Sequence, residues 1–530
     1  MSGREPRGGA VSTAGEGDTD QSEVFAFLAD PRNWGASGPL ERADTHGAVV
    51  FLGADKALKV KRAVAFPFMD FSTLDKRHAA LVHEIEVNRA NAPGIYLSVE
   101  PIVRRADGSL GFGGPGEPVE WALLMRRFET TLDVVAEEKG LDAGLVLDLA
   151  EIVAAAHAAA PVRDAAAWLA DVGRYIEDNE AAFLARPDLF PPARVHELSA
   201  SARAHLARLS PVVEARGRQG LVRLCHGDCH LRNIALFEGR AVLFDAIEFD
   251  DRIATSDVLY DLAFLLMDLW ERDMADEANL VFNRYLHLTR READLEGLVA
   301  LPFYMMLRAA IRAMVEAARA PRLQGAARED CEREAVRYFE TAEMLLEPLE
   351  PLLVGIGGLS GSGKSTLARH LAPGLGRPPG AVLLRSDLER KAMFGVPDID
   401  KLPRDAYEPE VTTAVYHRLC NKARAVLAAG HAVIFDAVFA REDERQALAR
   451  VAEAVEAPFI GIWLDAPAEV LIDRVETRTG DASDADREIV LRQLRYDLGS
   501  LDWHRIDAGN AFETTLAAAL RAIAGDTGTH

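Results

Sequence analysis

Cysteine is nearly missing from this chain: four in 530 residues, at Cys225, Cys229, Cys331 and Cys420. Four thiols, two of them isolated, build no disulfide framework, so a reducing cytoplasm is the expected compartment. Long hydrophobic runs are missing as well. The most apolar stretch, Leu259 to Leu269, is interrupted by Asp261 and Asp268 and is too short to cross a bilayer. The first 20 residues are polar and Gly-rich, without the apolar segment of a secretory signal. Positive charge is also scarce: 60 Lys+Arg stand against 83 Asp+Glu, a formal net charge of −23. From Pro351 onward the counts are 21 against 26, which leaves 39 against 57 before it. Neither part offers the broad basic surface that a sequence-independent nucleic-acid binder needs. A membrane role and a nucleic-acid partner are therefore not expected.

What remains is ordinary globular composition, 49% hydrophobic and 27% charged, in a chain too long for one core. Residues 1–20 read as a disordered tail. From Ala48 to Arg62 the pattern runs strand, turn, strand. Leu74 to Asn91 reads as a helix and Trp121 to Met125 as a further strand. Ala-rich helical periodicity fills Leu132 to Arg218, broken at Pro161, Pro187 and Pro191-Pro192, and helices resume from Ser256 to about Leu346. This describes a domain over 21–346, with a small sheet-bearing lobe to about residue 130 and a large helical lobe after it. Glu347 to Pro351 reads as a linker. Beyond it, apolar runs at Leu352–Ile356, Val382–Leu384, Val433–Phe435 and Ile460–Leu464 alternate with helical patterns. That alternation predicts a doubly wound domain over 352–530. The expected fold is two-domain: an α+β bilobal domain, then an α/β doubly wound P-loop domain.

Gly358-Leu359-Ser360-Gly361-Ser362-Gly363-Lys364-Ser365 matches G-x-x-x-x-G-K-[ST] between an apolar strand and a helical pattern. Its glycines let backbone N–H groups curl around phosphate oxygens, and the helix opening at Ser365 and Thr366 adds a favourable field. Lys364 is expected on the β/γ-phosphates and Ser365 on magnesium, so ATP and Mg2+ are the expected cofactors. The second strand ends in Arg385-Ser386-Asp387, with Arg390 three residues on. An Asp there can take the proton of an attacking hydroxyl, and Arg390 can hold substrate. Asp436, ending the third strand, is placed to bind the metal shell. Arg474 and Arg478, i,i+4 on a predicted helix, are expected on a lid over the transferred group. Gly480 to Asp486 reads as a capped helix start, Ser483 with Asp486, rather than a metal loop. Residues 352–510 resemble the P-loop kinases of the polynucleotide-kinase and gluconate-kinase type. That resemblance implies the base and substrate-ligand roles for Asp387 and Arg390.

An earlier segment, Cys225 to Asn233, holds His226-x-Asp228 followed five residues on by Asn233, the spacing of a kinase catalytic loop. Phe244-Asp245 follows twelve residues later. Asp228 can accept the hydroxyl proton, while Asn233 and Asp245 can hold magnesium. Asp257 and Asp261, i,i+4 on the next helix, read as braces rather than reacting groups. Cys225, His226, Cys229 and His230 also suggest zinc, but they leave no distant pair to close a tetrahedron. The design further needs a strand Lys and a helix Glu to orient it. Lys59 with Glu86 are the candidates, and Lys61 and Glu84 are the alternatives.

The first 345 residues resemble the aminoglycoside phosphotransferase family, which shares the protein-kinase-like fold. Thr45-His46-Gly47 stands at the nucleotide-loop position, without a complete G-x-G-x-x-G. Both parts together resemble the proteins described as bifunctional aminoglycoside phosphotransferase/ATP-binding proteins. The resemblance implies phosphoryl transfer from ATP to small-molecule hydroxyls at one or both sites. Two other readings stay open: one domain is a nucleotide switch for the other, or the C-terminal domain phosphorylates nucleic-acid ends.

Overall fold

Strands β1 (Glu41–Asp44), β2 (Ala48–Leu52) and β3 (Lys56–Lys61) form consecutive antiparallel pairs. Val49, Phe51, Leu58 and Val60 share one buried face. Lys59 and Lys61 alternate to the other, as a period of two requires. Strands β4 (Tyr96–Arg104), β5 (Leu110–Phe112) and β6 (Glu117–Arg126) complete a six-stranded sheet in the order β1-β2-β3-β6-β4-β5. Helix α1 (Leu74–Arg89) is N-capped by Thr73, whose hydroxyl accepts from Lys76 N. It buries Leu81, Glu84, Ile85 and Asn88 along one stripe, with Leu81 and Ile85 packed against Leu123 and Met125 of β6. A hairpin of β7 (Ile234–Phe237) and β8 (Arg240–Leu243) connects the Cys225–Asn233 segment to Asp245. These elements belong to a compact unit of Met1–Asp148, Ala155–Pro161 and Arg223–Ser256. The computed structural model describes residues 20–45, 47–66, 69–477 and 482–527. The expected tail up to residue 19 lies outside them.

A second unit takes Leu149–Ala154, Val162–Val222 and Asp257–His530. Its helices include α2 (Ala165–Leu184), α3 (Pro192–Arg218), α4 (Val258–Glu271), α5 (Ala275–Thr289), α6 (Leu301–Arg319) and α7 (Ala326–Leu345). Trp168, Tyr260 and Tyr304 meet edge to face at 5.5–5.6 Å in their core. Buried Arg216 forks onto Asp257 at 2.7 and 2.8 Å. Asp257 is therefore a structural residue, but its partner is Arg216 of α3 rather than the catalytic loop that the sequence reading expects it to brace. The run Glu292–Arg322 is apolar and long enough to span a bilayer, but it is mostly buried inside this unit. It reads as a core helix.

The same unit holds a parallel sheet of β9 (Leu353–Gly358), β10 (Val382–Arg385), β11 (Val433–Asp436), β12 (Phe459–Asp465) and β13 (His504–Asp507). The order is β10-β11-β9-β12-β13. Strands β9 and β11 are buried along their whole length, which explains their unbroken apolar runs. Edge strand β13 buries Ile506 alone and so carries no such run; it is absent from the sequence reading. The other edge, β10, is covered by side chains of α5. Asn283 Oδ1 accepts from Leu383 N at 2.7 Å, and Asn279 Nδ2 donates to Pro379 O and Ala381 O at 2.9 and 3.1 Å. The compact units thus cut the chain differently from the sequence-based domains, because helices before the linker close the edge of a sheet after it. Asn283→Ala is expected to cost about 1–3 kcal/mol, since it strands the Leu383 amide. Urea melts of both proteins measure this, and an unchanged midpoint would show that the edge closes without Asn283.

Candidate active sites

Lys59 is the centre of the first site. Its ammonium donates to Glu84 Oε1 at 2.7 Å and to Asp245 Oδ1 at 2.8 Å. Lys61 binds the other Glu84 oxygen at 2.7 Å and also Glu248. Of the two lysines, Lys59 is therefore the one joined to Asp245. The helix partner is Glu84 and not Glu86, which corrects the sequence-based choice. Glu84 lies on the stripe of α1 that faces the sheet, one step before Ile85 and four before Asn88. Glu86, two residues round the helix, is 67% exposed and meets His83 instead. Burial opposes the charge on Lys59, but Asp245, Glu84 and Glu248 outweigh it and hold its pKa well above the ordinary lysine value. Burial likewise opposes the Asp245 and Glu84 carboxylates, and the neighbouring lysines still pull both below their ordinary values.

Asp245 has φ 59, the left-handed region that Asp tolerates better than most residues. Tyr96 OH accepts from Asp245 N at 3.0 Å and Asn88 Oδ1 accepts from Ala246 N at 2.9 Å, so β4 and α1 clamp that turn. Asn233 Nδ2 donates to Asp228 O at 3.0 Å and to Asp228 Oδ2 at 2.7 Å. Phe244 N donates to Asn233 O at 3.1 Å, and His226 Nε2 bonds Phe244 O at 2.9 Å. The structure thus brings Asp228, Asn233, Asp245 and Lys59 into one bonded network. His230 Nδ1 accepts from Arg232 N at 3.2 Å, so both loop histidines brace the turn. His46, in the expected nucleotide loop, lies outside the described residues.

The second site surrounds the P-loop. Helix α8 (Lys364–Leu371) starts directly after it, and α9 (Ser386–Phe394), α10 (Pro409–Ala428), α11 (Glu442–Glu453), α12 (Ala468–Thr477) and α13 (Arg487–Gln493) follow. Gly361 has φ 84, and a Cβ there would sit 2.5 Å from Leu471 O, so only glycine fits. The loop from Ser360 through Gly361, Ser362, Gly363, Lys364 and Ser365 to Thr366 lines one cavity with Asp387, Arg390, Asp436 and Arg474. Gly358 sits just before it at the end of β9. The cavity measures about 1300 Å³, above the roughly 300–1,000 Å³ of most ligand pockets. Lys364 Nζ donates to Leu359 O at 3.0 Å, back across its own loop. Ser365 Oγ bonds Asp436 Oδ2, and Arg385 contacts both, with Nη2 3.1 Å from Ser365 Oγ and Nε 3.4 Å from Asp436 Oδ2.

Burial raises the Asp387 carboxyl above the ordinary carboxylate pKa, and Asp436 adds to this, while Arg385 and Lys364 pull the other way. Arg390 is 6% exposed; its Nη1 donates to Ala406 O at 2.6 Å, and its Nε has no partner among the described residues. Its guanidinium lies 5.0 Å over the Tyr407 ring. Tyr407 OH in turn donates to Asp484 at 2.8 Å. Arg474 reaches Gly361 O at 3.5 Å, against the P-loop, while Arg478 and Gly480 lie outside the described residues. Asp486, not Ser483, caps α13 and accepts from Ile489 N at 3.0 Å. The helix starts at Arg487, three residues too late for Ser483 to reach its first amides. Arg385, Tyr407, Asp484 and Gln493 were not singled out from sequence. Gln493 Oε1 accepts from Ser360 N at 2.8 Å and pins the loop from over a hundred residues away, which no local pattern signals.

Comparison with known proteins finds two family matches. Residues 110–297 match the phosphotransferase enzyme family, and residues 353–497 match the AAA domain. An uncharacterized protein of Mycobacterium tuberculosis is 30% identical over 491 residues, spanning 90% of this chain and 94% of its own. A counterpart in Mycobacterium bovis matches over the same share. Among solved structures, a choline/ethanolamine kinase family protein from Mesorhizobium loti covers 61% of this chain and 99% of its own, at 17% identity and TM-score 0.35. A gluconokinase from Sinorhizobium meliloti covers 34% of this chain and 94% of its own, at 21% identity and TM-score 0.25.

Proposed function

This chain belongs, with its mycobacterial relatives, to the family that joins an aminoglycoside-phosphotransferase-like kinase domain to a P-loop kinase domain, and on that premise we propose that each domain transfers the γ-phosphoryl group of ATP to a hydroxyl of a small molecule. The observation that carries this reading is Lys59, bonded at once to a helix carboxylate and to Asp245. In kinase chemistry that triad holds the phosphates of ATP beside a metal ligand. The reading places the protein in the reducing cytoplasm, with its cysteines free, and gives it neither nucleic acid nor membrane as partner.

The residues fit magnesium at both sites. Asn233 commits its amide nitrogen to Asp228, which leaves its carbonyl oxygen as the available ligand atom, and the Asp245 side chain keeps 44% of its surface open. Ser365 Oγ and Asp436 supply adjacent hard oxygens in the second site. Bound there, Mg2+ supplies charge neutralisation for the transferring phosphoryl group. Asp228, steadied by Asn233, takes the acceptor's hydroxyl proton in the first site. In the second, P-loop amides and Lys364 cradle the phosphates, Asp387 takes the proton, Arg390 holds the acceptor and Arg474 covers the reacting group. The test incubates the full chain with γ-labelled ATP, Mg2+ and a panel of sugars, amino alcohols and aminoglycosides. Label should appear on an organic acceptor and vanish with EDTA. Release of inorganic phosphate alone under every condition would sink the reading.

A further inference from the structure

The cavity of the P-loop site continues well beyond the P-loop itself. Along α10, Tyr416, His417, Cys420, Asn421 and Arg424 line it at helical spacing, and on α11 Glu444, Ala447 and Arg450 face the same space. Tyr416 lines the cavity together with Asp387 and Arg390, and its hydroxyl accepts from Phe439 N at 3.1 Å. Arg424 stands eight residues further, about 12 Å of helix rise. That is the reach of roughly three to four extended peptide units. Cys420 and Arg424 stand i,i+4 on α10, and Arg450 lines the same cavity from α11.

Those two arginines are not balanced by acid. In a chain with 83 Asp+Glu against 60 Lys+Arg, no carboxylate lies within ion-pairing distance of either guanidinium among the described residues. Among the described residues, the side-chain hydrogen bond of Arg424 goes to the Asn421 amide oxygen at 3.3 Å. The nearby acids are otherwise engaged: Asp443 pairs with Arg441, and Glu444 accepts from Arg441 N and is held toward its neutral form by burial. Two neighbouring forks with spare donors suit a dianion, because a phosphate monoester carries about −1.5 to −2 at neutral pH and a carboxylate only half of that.

We propose that the acceptor of the P-loop kinase site is itself a phosphate monoester, its phosphate held by Arg424 and Arg450 two turns of α10 beyond Tyr416 while Asp387 activates its hydroxyl. This deepens the kinase reading and rests on it for the hydroxyl end. A kinase on the same chain makes phosphate monoesters, so the class of reaction that supplies this acceptor is the one proposed for the Asp228 site. Asp387 takes the hydroxyl proton, the hydroxyl oxygen bonds the γ-phosphorus, ADP leaves, and the distal phosphate is unchanged.

Cys420 gives a test that needs no phosphoryl transfer, because it is partly exposed and the other three thiols are buried. Full-length protein is alkylated with anionic iodoacetate and with neutral iodoacetamide, and a Cys420→Ser variant supplies the background. In Arg424→Met/Arg450→Met the rate ratio of the two reagents should fall by at least about fivefold, the Coulombic effect of one charge near 4 Å in water. Arg424→Lys/Arg450→Lys should keep most of it. Phenyl phosphate should slow labelling of the wild type and not of the Met variant, with phenylacetate weaker. An unchanged ratio in the Met variant would overturn the proposal, as would equal protection by the two anions, which would point to a carboxylate acceptor. Loss of label transfer with the anion effects intact would instead remove the kinase reading and leave the anion site standing.

Discussion

Asp228→Asn should lower phosphoryl transfer at the N-terminal site by about 10²–10⁴, the usual worth of a positioned general base, while leaving ATP binding intact. The substitution keeps shape and most bonding. Asn233 Nδ2 now donates to both the backbone oxygen and a side-chain oxygen of residue 228, and an introduced amide still offers an oxygen to that donor. What it removes is an oxygen able to take a proton. Lys59, Glu84 and Asp245, the groups placed to meet nucleotide and metal, form their own salt bridges and are untouched. A calorimetric titration with ATP and Mg2+ should therefore match the wild type, whereas single-turnover transfer collapses. Near-normal transfer by the variant would mean that another group takes the proton and that the loop spacing misled.

The contrast between Glu84 and Glu86 shows where sequence suffices and where it stops. Both stand on a helix that the pattern predicts correctly, and choosing between them needs the phase of that helix against the sheet. That phase is set by Leu81 and Ile85 packing over β6, a tertiary fact. The P-loop was legible residue by residue because its demands are local: positive φ at Gly361 and Gly363, then a helix. The Asp228–Asn233–Asp245 set was legible for the same reason, since one short loop and one hairpin fix its spacing. Arg385 could have been found, because it ends β10 one residue before Ser386-Asp387 and must point near the P-loop. Gln493 could not, as its bond to Ser360 depends on how α13 returns across the sheet. Edge strand β13 escaped because a strand exposed along most of its length has no apolar run to betray it. The bonds from Asn279 and Asn283 to the edge of β10 were equally silent, since an asparagine in a helix carries no signal of what it will cap.

Asp387→Asn should do two opposite things, and the pairing identifies the residue. Burial and Asp436 raise its folded pKa above the ordinary carboxylate value of 3.8. Between that value and the raised one, the folded state binds more protons than the unfolded state, so wild-type stability falls as pH rises through this window. Above it the half-buried carboxylate keeps costing stability. An introduced amide carries no such cost, so the nucleotide-free variant should be more stable than wild type at neutral pH and equal to it below the window. Transfer at the P-loop site should meanwhile fall by about 10²–10⁴, with nucleotide still held by Lys364 and the loop. A residue kept for packing would give neither the gain in stability nor the loss of activity alone. Product mass then decides between two working kinases and a switch. Two phosphoryl groups added by the wild type, and one by each of Asp228→Asn and Asp387→Asn, would show successive transfers, with the tether raising the local concentration of the first product near the second site. Unchanged phosphorylation in Asp387→Asn, together with an altered rate in Lys364→Ala, would instead make the P-loop domain a nucleotide sensor for its neighbour. The unbalanced arginines beyond Tyr416 argue for the first outcome, because a sensor of nucleotide alone has no use for a groove that runs on beyond the P-loop.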